Sequence, residues 1–231
     1  MLTALVIVRY PRWLGWAGFL SMAVFRWPLA LSGRVRFWKL LGCGRNGTFD
    51  IRPDWRQWAV LVVWNEEPAT NAALPRFLRQ WWRFFRCELC SFTMQALEGH
   101  GTWDKQACFG EYSGQAGHDG MIAVLTRATI RINRLRQFWG NVSRVTQQMQ
   151  QADGFLFSAG IGEVPWIKQA TFSIWQTKEA MKQFAYRSAE HADVIRKTRS
   201  NDWYSEEMFV RFRIVNIKGT LKGKSPLEGM A

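Results

Sequence analysis

Few side chains in this sequence can do chemistry, and its three histidines are the first to weigh. His100 lies between two glycines in an expected turn, and His118 lies in a polar stretch. His191 is different. Met181, Phe184, Ser188, His191 and Ile195 step by three or four residues, so they share one face of an expected helix over 177–199 with Ala185 and Ala192. Lys182, Glu190, Asp193 and Lys197 fall on the other side. Ser188, Ala189 and Ala192 are small, which would let a flat macrocycle approach the helix while the imidazole binds its iron. Position alone favours the plainer reading, a hydrogen-bonded core histidine.

Other constellations are weaker. Cys87 and Cys90 form a single C-x-x-C with no second pair, which reads as free thiols in a reducing cytoplasm. There is no G-x-S-x-G, and Glu206-Glu207 reads as a solvated pair. With so few acids and histidines in apolar surroundings, a cofactor is expected to carry any hard chemistry.

The elements that must position these residues repeat. A strand over 3–10, a helix over 13–27, strands over 34–41 and 58–64, a helix over 69–86 and a strand over 88–97 are followed by the same order. The second set comprises a strand over 121–131, a helix over 133–150, strands over 154–159 and 169–175, the helix over 177–199 and a strand over 208–218. Each set has a G-x-G after its second strand (Gly42/Gly44, Gly160/Gly162). Each ends its third strand in tryptophan (Trp64, Trp175) and follows its fourth with Gly-Thr. Neither G-x-G opens a helix, so both read as turns or bulges rather than a dinucleotide fingerprint. The expected fold is α+β: two tandem ferredoxin-like β-α-β-β-α-β units packed sheet on sheet as a dimeric α/β-barrel. The first unit spans 1–101 and the second 121–231, with 102–120 as the linker.

Charge and aromatic content suggest a partner. Lysine plus arginine is 31 against 18 acids, a net +13, and there are 14 tryptophans. Residues 1–49 carry no aspartate or glutamate before position 50. Arg76, Arg79, Arg83 and Arg86 form a cationic stripe beside Leu74, Leu78, Trp81 and Phe85. An anionic membrane surface is the expected partner. The apolar run 13–25 is too short to span a bilayer. Nucleic acid is disfavoured, because neither the RNP1 pattern nor a DNA-reading helix signature is present.

The segments FWKL-x-G-x-G (37–44), LTRATI (125–130), FWG (138–140), GIGEVP (160–165), Q-x-TFSIW (169–175), FA-x5-HA-x2-IR (184–196) and W-x2-EE-x3-RF (203–212) together resemble the spheroidene monooxygenase family, carotenoid ketolases of purple photosynthetic bacteria. The resemblance implies haem as cofactor and an oxygen-dependent oxidation of a carotenoid methylene to hydroxy and keto products, with electrons from an unspecified donor. It implies His191 as the iron ligand, because His191 alone among the histidines falls in a family motif. Ser188, Ala192, Trp139 and Trp175 are the expected cofactor-pocket residues, with core packing the competing reading for the tryptophans. Arg127, Lys39 and Arg211 lie in motif strands and are candidate polar helpers. The rival expectations are a haem enzyme of the same barrel class acting on another small substrate, of peroxidase or dehydratase type, and a non-catalytic haem-binding protein. A cytoplasmic enzyme held peripherally at the inner or photosynthetic membrane is expected, with its oligomeric state left open.

Overall fold

A computed structural model describes residues 1–45, 50–65, 74–110, 112, 118–187 and 202–227. Eight strands close into one antiparallel barrel: β1 (Leu2–Arg9), β2 (Val35–Gly44), β3 (Pro53–Trp64), β4 (Glu88–Gly101), β5 (Ile122–Ile130), β6 (Phe155–Val164), β7 (Lys168–Trp175) and β8 (Tyr204–Gly219). Around the barrel the order is β1-β3-β2-β6-β7-β5-β8-β4. The first half contributes the strip β4-β1-β3-β2 and the second the strip β8-β5-β7-β6, so the two halves share one strand order. Helices α1 (Gly15–Val24), α2 (Arg26–Ala30) and α3 (Arg76–Phe84) belong to the first half, and α4 (Leu135–Gln150) and α5 (Lys178–Arg187) to the second.

Two seams join the strips. One is long, from Cys90↔Gly219 to Gly101↔Met208. The other is short and pairs the two G-x-G segments directly, Gly42 with Gly162 and Cys43 with Ile161. Register shifts at Gly42/Gly44 and Gly162/Val164 mark both segments as bulges inside their strands, not turns after them. Bulges of this kind bend the sheet where the barrel closes.

Alternation puts Leu5, Ile7, Phe92, Met94, Phe172 and Phe212 in the barrel interior, in one continuous buried cluster. The segment 102–120, expected as a linker, begins by plugging this interior: Trp103, Cys108 and Phe109 are buried in the same cluster. The turn after β4 is held by Glu206, which accepts from Thr102 Oγ1 (2.8 Å) and the Lys105 amide (2.7 Å). The turn after β8 is held the same way by Glu88, which accepts from Thr220 Oγ1 (2.9 Å) and the amides of Lys222 and Gly223 (3.0 and 2.7 Å). The repeated Gly-Thr therefore marks one locking device used at both ends. Glu206 is no solvated residue, and His100 sits in β4, stacked on Phe209, rather than in a turn.

Outside the first strip, Val6, Val8, Val60, Val62 and Trp58 pack under Phe25, Leu78 and Trp82. Phe25 meets the edges of Phe77, Trp81 and Trp82 at 5.6–5.9 Å. Trp82, absent from the expected apolar stripe of 74–85, is fully buried. The expected helix over 13–27 breaks into a short 3-10 turn, α1 and α2. Gly18 lets α1 settle on Trp58: a Cβ there would lie 2.3 Å from the indole Nε1, which already donates to Trp55 O at 3.0 Å. Gly18→Ala is expected to destabilise the protein by about 1–3 kcal/mol through overpacking, read as a lower urea midpoint with an unchanged m-value.

Candidate functional site

The two strips differ most on their helix-facing sides. Register aligns Val124–Ser173–Ser158 of the second strip with Ala4–Val62–Trp38 of the first, and Thr126–Thr171–Gly160 with Val6–Val60–Leu40. Valine, leucine and tryptophan in one strip thus become serine, threonine and glycine in the other. These positions alternate with Ala123, Leu125, Ala159, Ile161, Ala170, Phe172 and Ile174, which face the barrel interior, so they face the helices. In the first strip one cluster covers the whole outer face. Among the described residues of the second strip there are two separate clusters. Ile122, Val124, Met149, Trp175 and Met181 form one, and Ile130, Phe138, Val142 and Trp203 form the other. Ser158, Thr171 and Ser173 are buried all the same, and Thr171 Oγ1 has no hydrogen-bond partner. A buried polar atom without a partner costs free energy unless a ligand or water supplies one.

Arg211 lies in the same row, opposite Val124 on β8. Its Nη2 pairs with Glu98 at 2.8 Å, and Glu98 also takes Lys178 of α5 at 2.9 Å. Arg211 Nε and Nη1 are buried without partners. Burial alone would raise the Glu98 carboxyl pKa, but Lys178 and Arg211 hold it below its ordinary value. Trp175 is buried at the end of β7, donates to Ser173 Oγ at 3.0 Å and stacks on Phe184 of α5 at 5.2 Å. Trp139 of α4 is half-buried and donates to Trp166 O at 3.2 Å. Arg211, Trp139 and Trp175 thus share the helix side of the second strip. His191, Ser188 and Ala192 lie outside the described residues.

Arg127 and Lys39 face the other way, into the barrel mouth. Arg127, only 2% exposed, pairs with Glu206 and lies 3.4 Å from Asp104 and 3.6 Å from Glu163. Lys39 pairs with Asp104 and with Glu163 at 2.7 Å, and Lys168 reaches Asp104 at 2.8 Å. Trp103 of the plug donates to Glu163 at 3.0 Å and stacks beneath the Arg127 guanidinium. Three cations and three carboxylates therefore fasten the plug. Strand parity could have revealed this grouping, since Lys39, Arg127, Glu163, Lys168 and Glu206 all fall on interior positions, but Asp104 arrives from a turn that no periodicity marks. Burial pushes the Cys43, Cys87, Cys90 and Cys108 thiols up to about 12, so they stay protonated and are poor metal ligands.

A cleft of about 340 Å³ opens at the short seam, between α1 and α4. Gly42, Gly160 and Gly162 form its floor, and Trp55, Trp58, Trp139 and Trp166 form its walls.

The architecture defines a closed antiparallel α/β barrel with one filled and one small-residue outer face. A crystal structure of aldoxime dehydratase in complex with butyraldoxime shares this fold, with a TM-score of 0.64 at 8% identity over 98% of this chain and 84% of that one. A family described as a domain of unknown function (DUF3291) matches residues 121–214. Spheroidene monooxygenase of Rhodobacter capsulatus is 33% identical over 209 residues, 90% of this chain and 87% of that protein. The protein of the same name from Rubrivivax gelatinosus is 35% identical, over 82% of this chain and 73% of its own length. The chain belongs to the spheroidene monooxygenase family and is an oxidoreductase.

The plug should carry an acid-sensitive part of the stability. Burial alone would raise the Asp104 carboxyl, but hydrogen bonds from Lys168 and Lys39 hold it at about 2 against an ordinary 3.8. A depressed carboxylate stabilises the fold above its unfolded pKa and loses that contribution as pH falls through the folded one. Melting temperature should fall between about pH 4 and pH 2 in the wild type, and Asp104→Asn should flatten that limb while lowering the neutral-pH plateau. Arg127→Met should cost roughly 1–3 kcal/mol in urea, because Glu206 loses its cation while Lys39 and Lys168 still hold Glu163 and Asp104.

Proposed function

We propose that this protein is a haem-dependent monooxygenase that oxidises a methylene of an acyclic carotenoid to the alcohol and then the ketone. The proposal treats residues 1–101 and 121–231 as tandem ferredoxin-like units, with the second holding the haem. The observation that carries it is the exchange of Val60, Val62 and Leu40 for Thr171, Ser173 and Gly160 on the helix side of the second strip. A flat macrocycle needs such a floor of small side chains. The orphaned Thr171 hydroxyl and the two free Arg211 donors fit its polar and acidic groups. His191 follows α5 in sequence and is the proposed iron ligand, with Ser188 and Ala192 as its small neighbours.

Bound haem would supply the activation of dioxygen. Each insertion consumes one dioxygen, two electrons from an external donor and two protons, and releases one water; the second, at the same carbon, gives a gem-diol that loses a further water to leave the ketone. Arg211 offers N–H donors on the cofactor side, and the Glu98–Lys178 pair fixes its guanidinium. Arg127 and Lys39 act at one remove, keeping the barrel interior closed to water by fastening the plug. Trp175 walls the α5 side over Ser173. The purified protein should show a Soret band that His191→Ala abolishes or greatly weakens, with circular dichroism unchanged. Unaltered haem ligation in that variant would put the iron ligand elsewhere. Product analysis with an acyclic carotenoid, dioxygen and a reductant should give hydroxy and then keto products.

An anionic membrane is the proposed source of the substrate. Trp13, Trp16, Phe19, Trp27 and Leu31 on and beside α1 and α2 are between 59% and 79% exposed, interspersed with Arg12 and Arg26. Exposed aromatics with arginines suit a headgroup interface, where each basic residue contributes about 1 kcal/mol. No helix among the described residues is long and apolar enough to cross a membrane. Co-sedimentation with phosphatidylglycerol vesicles should weaken at least tenfold in a Trp16→Ser/Trp27→Ser variant and should fall with added salt. Binding indifferent to both changes would count against this surface.

A further inference from the structure

We infer that the cleft at the short seam holds one end of the substrate as an extended apolar polyene, fed from the α1 side. The inference rests on the carotenoid-oxidising reading and adds a binding site to it. Its first support is continuity. Register runs without a break from Ala128 through Gln169, Gly162 and Gly42 to Trp58, so the cleft floor is the row beside the small-residue floor of Thr126, Thr171 and Gly160. Gly160 belongs to both. A chain lying along the seam glycines would bring its inner end onto the face proposed for the cofactor.

The second support is the chemistry of the walls. Trp55, Trp58, Trp139 and Trp166 present flat rings to the cleft, and Trp55 and Trp58 stand 6.5 Å apart. Planar conjugated chains stack on such rings, whereas a small polar substrate would leave them unpaired. Polar side chains are the minority of the lining: Arg26, Asp50, Asp54, Glu163 and Gln169. The third support is size and direction. A volume of about 340 Å³ is at the low end of the ~300–1,000 Å³ range of small-ligand pockets, so it takes part of a long molecule. The remainder has an apolar path outward, since Phe19 and Met22 of α1 line the cleft and Phe19 is exposed beside Trp16.

Gly42 makes the test clean. A Cβ there would meet only ordinary contacts, 3.9 Å from Gly162 O and from the Trp58 ring, so Gly42 accepts a side chain, and Gly42→Leu is designed to project it into the cleft. The probe is the fluorescent polyene cis-parinaric acid, titrated into the purified protein after its Soret spectrum is recorded and read by energy transfer from tryptophan. Wild type should bind it, and Gly42→Leu should bind at least tenfold more weakly with the Soret band and circular dichroism unchanged. Trp55→Ala, which removes an exposed wall, should weaken binding several-fold and serves if Gly42→Leu does not fold. Wild-type affinity in both folded variants, or no polyene binding by wild type, would overturn the inference. Absence of a Soret band would instead overturn the haem reading, and the polyene titration stands apart from it.

Discussion

A closed barrel offers each strand residue one of two environments, inside or beneath the helices, and alternation decides which. Here the inside is apolar. Side chains from all eight strands meet there, and Trp103, Cys108 and Phe109 of the plug pack among them. The charged groups at the mouth are spent on holding that plug. The proposed cofactor is accordingly assigned to the space between strands and helices. The same constraint divides the three motif cations: Arg127 and Lys39 look inward and Arg211 looks outward.

Two copies of one strand order need not keep the same work. The first strip seals its outer face with valines and aromatic side chains, and its helices turn further aromatics to the exterior. The second strip replaces the sealing residues with small and hydroxyl-bearing ones. Each exchange gives up roughly 1–3 kcal/mol of apolar burial. A stable fold tolerates that loss where a bound group restores the contacts. The short glycine seam lies between the two strips, with the exposed aromatic and basic residues of α1 and α2 on one side and the small-residue floor on the other.

Much of this was legible in the sequence because it depends on local pattern. The succession of strands and helices along each half follows from apolar runs and turn residues. The paired G-x-G segments, the tryptophans closing β3 and β7, and the two Gly-Thr turns showed that the halves correspond. Long-range partners were not legible. Glu206 looked like a solvated acid because the turn it holds is more than a hundred residues away in the chain. Residues 102–110 looked like a linker because glycine and polar residues hide three buried ones. The row that joins Thr126, Thr171 and Gly160 emerged only from register, since a pairing partner has no fixed spacing in sequence. Of the 14 tryptophans, Trp58, Trp82, Trp103 and Trp175 are core while Trp13, Trp16 and Trp27 are exposed. Composition could not apportion them.

In the proposed arrangement the second strip binds haem because its outer face carries Gly160, Thr171 and Ser173 where the first carries Leu40, Val60 and Val62. The direct measurement is haem affinity, by Soret titration, of a variant given the first strip's own residues: Gly160→Leu, Thr171→Val and Ser173→Val together. Those side chains already pack at the corresponding positions of the same barrel, so the variant should fold. The expected result is a Soret band lost, or haem affinity weakened at least a hundredfold, with an intact circular dichroism spectrum. Wild-type haem affinity in the folded variant would contradict it.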